Sequence, residues 1–292
     1  MDQGNDSRVP LMPIGTRIPR VIHQIYITLV VPKMIEDNIA NIKKLNPGWE
    51  HCLYGDREIL DYIGRYYGPE MLRAYNQINP KYGAARADLF RYLLVYREGG
   101  VYLDIKSTTR RPLDEVLSEN DQYILVKWQD DPSGSRVNWG RHPALDEVGE
   151  EEYQQWHILA VAGHPFLRAV ILRVLDNIAN YDPLINGVGK SGVLWLSGPI
   201  AYTLAIAPLA SQIHCRSMRG HEQLGLVYSI YSEVRPEAHK HLFRHNYDNL
   251  RLPVANIHGT RRMRWILHRA AYFMPSFLRR AIKRVLRLRK RG

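Results

Sequence analysis

Two consecutive glycines, Gly99 and Gly100, impose the strongest constraint on this chain. Before them, Leu89, Leu93 and Tyr96 recur at helical spacing, with Phe90 and Leu94 beside them, which predicts an amphipathic helix. After them, Val101, Tyr102 and Leu103 read as a short buried strand ending at Asp104, with Lys106 two residues on and Pro112 turning the chain away. Glycine at a helix end accepts a positive φ cheaply, so a helix stop and a reversal are expected here. The small residues Ala84, Ala85 and Ala87 leave room for another piece of backbone to approach the helix.

The rises of the two elements fix what meets what. From Arg91 to Glu98 a helix advances about 10 Å at roughly 1.5 Å per residue. A strand running back recovers that distance by about Leu103 or Asp104, at roughly 3.3 Å per residue. Asp104 is therefore expected level with Asp88 and Arg91, which share a helix face at spacing i, i+3. Two carboxylates, a guanidinium and the Lys106 ammonium would surround one point at the carboxyl edge of a strand, where open α/β sheets bind their ligands.

The run of alanines, Asp88, Arg91-Tyr92, Gly99-Gly100 and Val101-Tyr102-Leu103-Asp104 resembles the DXD-containing region of glycosyltransferase family 32. That family includes initiating mannosyltransferases of the yeast type, bacterial capsule and lipopolysaccharide enzymes and, more distantly, clostridial glucosylating toxins. Ile18 to Tyr26 resembles its opening strand, and Gly198-Pro199 with Ala201-Tyr202-Thr203 a later block. The resemblance spans roughly residues 18 to 260. It departs at the motif itself, which reads Asp104-Ile105-Lys106, with lysine in place of the second aspartate.

Several expectations follow from the resemblance. The fold is a GT-A type α/β domain with a mainly parallel central sheet. The activity is transfer of a hexose from a UDP- or GDP-sugar to a glycan or lipid-linked acceptor, with retention and same-face attack, in surface polysaccharide or glycolipid synthesis. Asp104 and Asp88 are the catalytic candidates, while Arg91, Tyr92, Lys106, Ile25 and Tyr26 are donor-binding candidates. A divalent cation, Mn2+ or Mg2+, would be held by Asp104 and by His258, which stands where the family has a histidine followed by a tryptophan (here Trp265, at longer spacing). Lys106 weakens that metal site, since a protonated amine ligates nothing, but its ammonium can stand beside a diphosphate. A non-catalytic scaffold that binds nucleotide-sugars at a membrane is the alternative that would account for this departure.

Strand, helix, strand, helix is the order read from residue 21 onward: strands from Val21 and Trp49, helices Pro32 to Leu45 and Arg57 to Tyr67, a further short helix from Pro69. That alternation predicts parallel pairing with right-handed crossovers. A further strand is expected at Tyr123 to Trp128, then a long Gly/Pro/Asp-rich connection from Asp130 to Gly149, with regular structure resuming at Trp156 to Val161 and at Phe166 to Ile178, the second a helix. Asn186 to Gly192 is glycine-rich but lacks the GxxxxGK[ST] spacing of a phosphate loop, and reads as an ordinary mobile loop.

No apolar run approaches the roughly 20 residues of a membrane span, and Met1 to Arg8 carries no apolar leader. Cys52 and Cys215 are too few for a disulfide framework. A cytoplasmic setting is expected. Charge is uneven: of 40 Lys and Arg residues, 12 lie between Arg261 and Gly292, where none of the 29 Asp and Glu falls. Within that tail Phe277, Leu278 and Ile282 follow an apolar stripe and Arg280, Lys283 and Arg284 a basic face, as in an interfacial helix. The division expected is a flexible N-terminus (1–17), the transferase domain (18–260) and a basic amphipathic tail (261–292) that binds the anionic inner face of a membrane. A nucleic-acid partner is not expected, because the near-neutral body offers no basic groove.

Overall fold

The computed structural model describes residues 6–27, 31–129, 138–231 and 247–273. Its centre is a six-stranded sheet of β1 (Val21–Ile25), β2 (Glu50–Tyr54), β3 (Gly100–Leu103), β5 (Tyr123–Lys127), β6 (His157–Ala160) and β7 (Arg216–Arg219), in the order β2-β1-β3-β6-β5-β7. Pairs β1/β2, β1/β3 and β5/β7 are parallel, whereas β6 runs against both its neighbours. Five strands thus share one direction, in a mainly parallel sheet with helices packed on it, an α/β architecture. A two-stranded antiparallel ribbon joins β4 (Thr108–Thr109) to β8 (Leu226–Val227).

Helices α1 (Lys33–Leu45) and α2 (Asp56–Gln77) make the first crossovers. Within α2 the helix breaks at Gly68, φ 78°, and Pro69 opens the second segment, as the sequence suggests. Helix α3 (Gly83–Glu98) is buried on every face from Asp88 to Tyr96 rather than along one stripe, because α2 and α5 (Pro165–Asn180) pack on it as well as the sheet. An all-round apolar helix belongs in a core, and each fully enclosed Leu or Phe contributes about 1.5–3 kcal/mol.

Both glycines after α3 are required. Gly99 has φ 70° and Gly100 φ 97°, and a Cβ on Gly100 would stand 2.7 Å from the Val21 carbonyl oxygen. The chain reverses there directly into β3, which leaves Asp104 at the strand's carboxyl end.

A short helix, α4 (Leu113–Val116), follows the β4 strand. Helices α6 (Gly189–Leu196) and α7 (Pro199–Ala210), parted only at Ser197 and Gly198, make a run long and apolar enough, by length and composition, to cross a membrane, against the expectation that no apolar run approaches that length. Its hydropathy reflects burial, since 56% of it lies inside the fold and the Tyr202 hydroxyl bonds that of Tyr123 at 2.6 Å.

Two expectations are corrected. Residues 189–192 of the glycine-rich segment are the first turn of α6, not a mobile loop: the Gly189 N–H donates to the Tyr82 hydroxyl at 3.0 Å, and a Cβ on Gly192 would lie 2.7 Å from the Gly187 carbonyl oxygen. The segment from Asp6 to Arg17 is packed rather than a loose lead. Arg168 donates to the carbonyls of Val9 and Asp6, Tyr96 to that of Pro10, and Val9 is fully buried. The last element, α8 (Gly259–Phe273), carries the chain into the basic tail. The tail residues Phe277, Leu278, Arg280, Ile282, Lys283 and Arg284 lie outside the described residues.

Candidate active site

Register places the first functional side chains. Ile22 pairs with Val101 and His23 with Tyr102, so the end of β1 reaches the level of Asp104. On the other side Leu103 pairs with His157, and the Asp104 N–H donates to the Trp156 carbonyl at 2.8 Å. Asp104 is thus clamped between two strands, with its side chain 23% exposed.

Arg91 joins the two expected carboxylates. Its Nη2 lies 2.8 Å from Asp88 Oδ1 and its Nη1 lies 3.1 Å from Asp104 Oδ1. Nη1 also donates to the Gln155 carbonyl at 2.8 Å, and the guanidinium sits 4.7 Å from the centre of the Tyr102 ring. The Tyr102 hydroxyl donates to Asp104 Oδ1 at 3.0 Å. Asp88 accepts two further hydrogen bonds, from Ser197 Oγ at 2.8 Å and from Gln155 Nε2 at 3.3 Å. The convergence of Asp88, Arg91 and Asp104 is the one that the helix and strand rises imply.

Exposure separates these groups. Asp88 and Arg91 are 2% and 4% exposed, and Tyr92 is fully buried. Burial pushes the Asp88 carboxyl up to about 6, against the pull of Arg91 and Ser197. Burial opposes the Arg91 charge, yet Tyr102, Asp104 and Asp88 hold its pKa above the ordinary value. The Tyr92 hydroxyl donates to the Ser197 carbonyl at 2.8 Å and its ring stacks on Tyr202 at 5.7 Å. Arg91 and Tyr92 were expected to touch a donor. In the structure their polar atoms are engaged inside the protein, Arg91 with Asp88, Asp104 and Gln155 and Tyr92 with Gln155 and Ser197.

Lys106 stands on the open side. Its Nζ donates to the Tyr228 hydroxyl at 3.0 Å and lies 4.1 Å from the centre of that ring. The β4/β8 ribbon brings Tyr228 there: Ser107 Oγ donates to the Tyr228 carbonyl at 2.8 Å, and the Ile230 N–H to the Lys106 carbonyl at 2.8 Å. Burial disfavours the ammonium, but Tyr228 and Asp104 keep its pKa above the ordinary value, so it is charged at neutral pH. Of the β1 pair, Ile25 is buried in the core, while Tyr26 is half-buried with its N–H bonded to the Tyr54 carbonyl at 2.9 Å. Gln24, just before them, donates to the Asp104 carbonyl at 3.3 Å.

His258 is not brought into this hydrogen-bonded cluster. It is exposed, immediately before α8, and its carbonyl accepts from the Arg262 N–H. Among the described residues no group of three His, Cys, Asp or Glu side chains could hold a metal ion. Asp104 offers a carboxylate at the opening, but its partner in the motif is an ammonium. Among the described residues the protein thus offers a cation one carboxylate here, with a lysine at the motif's second position.

Sequence reasoning missed Gln155, Ser197, Tyr102 and Tyr228 as members of the site. Ser197 was adjacent to a recognised signal, since it precedes the Gly198-Pro199 block. Gln155 and Tyr228 carry no local signal and arrive through strand register.

Residues 32–158 match the family model described as a glycosyltransferase sugar-binding region containing the DXD motif. The chain is 33% identical over 138 residues to an initiation-specific alpha-1,6-mannosyltransferase of Candida albicans, covering 45% of this chain and 34% of the relative. It is 29% identical over 182 residues to inositol phosphoceramide mannosyltransferase 3 of Schizosaccharomyces pombe, covering 62% and 44%. The chain spans less than half the length of these curated relatives. Among solved structures, the ligand-free glycosyltransferase domain of the YGT toxin aligns with 75% of this chain and 82% of its own, at 11% identity and a TM-score of 0.47.

Proposed function

Residues 32–158 belong to the family of DXD-containing glycosyltransferase sugar-binding regions, and from that premise we propose that this chain transfers a hexose from a nucleotide-sugar to a glycan or lipid-linked acceptor. The observation that carries this reading is the Asp88–Arg91–Asp104 cluster at the carboxyl edge of β3, with the Lys106 ammonium held on the Tyr228 ring within the electrostatic reach of Asp104. Relatives named mannosyltransferases make GDP-mannose the first donor to test, with UDP-hexoses beside it.

Each residue then has a distinct task. A carboxylate has about four acceptor positions. Arg91, Gln155 and Ser197 fill three on the buried Asp88, which fixes the guanidinium that Asp104 shares. Asp104, clamped by strand hydrogen bonds and half open, meets the donor at the ribose side, and Tyr26 flanks the base. Lys106 stands beside the diphosphate. As the bond from the anomeric carbon to the diphosphate oxygen breaks, the leaving group gains charge that a fixed ammonium stabilises more than it stabilises the ground state. The acceptor hydroxyl attacks from the same face, and its proton passes to the departing phosphate oxygen, so configuration is retained without a covalent enzyme intermediate. Nucleotide release from GDP-mannose, UDP-glucose and UDP-galactose tests the reading. One of these should turn over, and Asp104→Asn should lower that turnover at least about 100-fold, the scale of a lost charge-stabilising group, with an unchanged melting profile. Equal turnover by Asp104→Asn would refute the assignment.

The reading includes an anionic membrane, at the cytoplasmic face, as the place of transfer. Its support among the described residues is α8, whose outer face shows Met263, Ile266 and Leu267 at 60%, 54% and 63% exposure. Arg262 flanks this face, while Arg261 and Arg269 donate to body carbonyls on the opposite side. An apolar stripe edged by arginine suits a lipid surface rich in negative headgroups. Replacing Ile266 and Leu267 with serine leaves charge unchanged and should weaken binding to phosphatidylserine vesicles several-fold. Undiminished binding would remove α8 from the account.

A further inference from the structure

Beside Lys106 lies an aromatic band to which the donor chemistry assigns no task. Tyr228, whose ring meets the Lys106 ammonium, packs edge to face against Trp156, Trp128 and Trp139, at centroid distances of 5.4, 5.5 and 5.9 Å. Trp128 and Trp139 meet at 4.9 Å and 87°. Trp156 and Trp128 are enclosed, at 4% and 7% exposure, but Trp139 stands 42% open to solvent. The turn that presents it is unusual. Asn138 and Gly140, on either side, have φ of 61° and 79°, and a Cβ on Gly140 would stand 2.7 Å from the Trp128 ring. Left-handed backbone at a non-glycine residue is uncommon and directs attention to function. A large indole held open by two supporting rings is a platform.

The band continues into a cleft. Trp128 Nε1 donates to Glu152 Oε1 at 2.7 Å, and Glu152 Oε2 holds His142 Nε2 at 2.6 Å. His142 is at the mouth of an open cleft of about 680 Å3, whose other walls include Lys190, Ser191, Trp195 and Ile200. Sites for small molecules span about 300–1,000 Å3. The far wall is tied to the donor site: two residues beyond Ile200, Tyr202 stacks on Tyr92, and Ser197 between the two helices donates to Asp88.

We propose that this band and cleft form the acceptor subsite, and that the acceptor is a carbohydrate chain of at least two units. The proposal rests on the transferase reading and specifies its second substrate. A pyranose ring has one face of C–H groups and a rim of hydroxyls. The C–H face lies on an aromatic ring, where its weakly positive hydrogens meet the negative π face, and the hydroxyls need hydrogen-bonding groups at the ring's edge. Trp139 supplies the face beside Tyr228, the ring that also meets the Lys106 ammonium, where the attacking hydroxyl must be presented. Trp195 supplies a second face further along, and His142, Lys190 and Ser191 supply the polar edge. A bare lipid headgroup would use the cations but leave the two indoles without a role.

The test measures binding and transfer separately. Titrating the full chain with methyl mannoside, mannotriose, maltotriose and galactotriose should find one trisaccharide bound at least tenfold tighter than its monosaccharide. Trp139→Ala should weaken that trisaccharide at least tenfold and raise its KM in the transfer assay by a similar factor, with Trp139→Phe restoring much of the loss. Trp195→Ala should weaken the trisaccharide more than the monosaccharide. Wild-type nucleotide release without acceptor is measured alongside, because it needs only the donor site. Failure to release nucleotide from any donor would count against the transferase reading. Normal release with a trisaccharide KM unmoved by Trp139→Ala would overturn the acceptor subsite alone, as would trisaccharides binding no better than monosaccharides.

Discussion

The floor and the rim of the site are built on opposite terms. The floor, Asp88, Arg91, Tyr92 and Tyr102, is enclosed, and its polar atoms are spent on one another and on Gln155 and Ser197. The rim, Asp104, Lys106 and Trp139, is partly open, and each member has one side fixed and one side free for a ligand. Buried charges are stable only when paired and hydrogen-bonded, so a group satisfied in this way contributes position, not contact. The contrast separates residues that hold the site from residues that touch its ligands, although all but Trp139 fall between Asp88 and Lys106.

Breaking the floor should give the largest effect. Arg91→Met leaves Asp88 and Asp104 facing one another without their shared cation. Removing one partner from a buried ion pair costs about 3–5 kcal/mol. The variant should therefore melt well below the parent at neutral pH and recover part of the difference in acid, where Asp88 takes up a proton. A parent-like melting temperature at neutral pH would show that the floor does not depend on this cation.

A smaller effect distinguishes the floor by pH. The Asp88 carboxyl sits at about 6, against an ordinary 3.8, so between those values the folded chain holds a proton that the unfolded chain has released. Its contribution to stability is fully present below 3.8 and is lost as the pH rises through 6. Asp88→Asn should flatten the stability profile across that window. The same slope in Asp88→Asn as in the parent would place the titrating group elsewhere.

The floor's three ionic members were legible because their meeting follows from helix and strand rises around Gly99 and Gly100. Tyr92 and Arg91, expected as donor contacts, are enclosed in the fold. Their enclosure comes from α2 and α5 packing on α3 and from Tyr202 stacking on Tyr92, and nothing in the residues 88–92 themselves reports that packing. Gln155 and Tyr228 were not legible, since an antiparallel β6 and a two-residue ribbon bring them in from distant parts of the chain. The glycines at 189 and 192 signalled flexibility to the sequence reading. In the fold they mark close approach, to the Asp248 and Gly187 carbonyls. The packing of residues 6–17 is likewise a tertiary matter, made by a buried arginine on α5. Most strands and helices were read within a few residues of their observed ends, because periodicity and punctuation are local.

The central claim is that the rim neutralises a departing diphosphate with its own lysine. Nucleotide release should be measured with the cognate donor in excess chelator, for the parent and for Lys106→Ala. The account predicts that the parent keeps most of its turnover in chelator and that Lys106→Ala loses at least about tenfold, the order expected for one charge-assisted contact made in the transition state. Turnover abolished by chelator and restored by manganese, with Lys106→Ala as active as the parent, would contradict it.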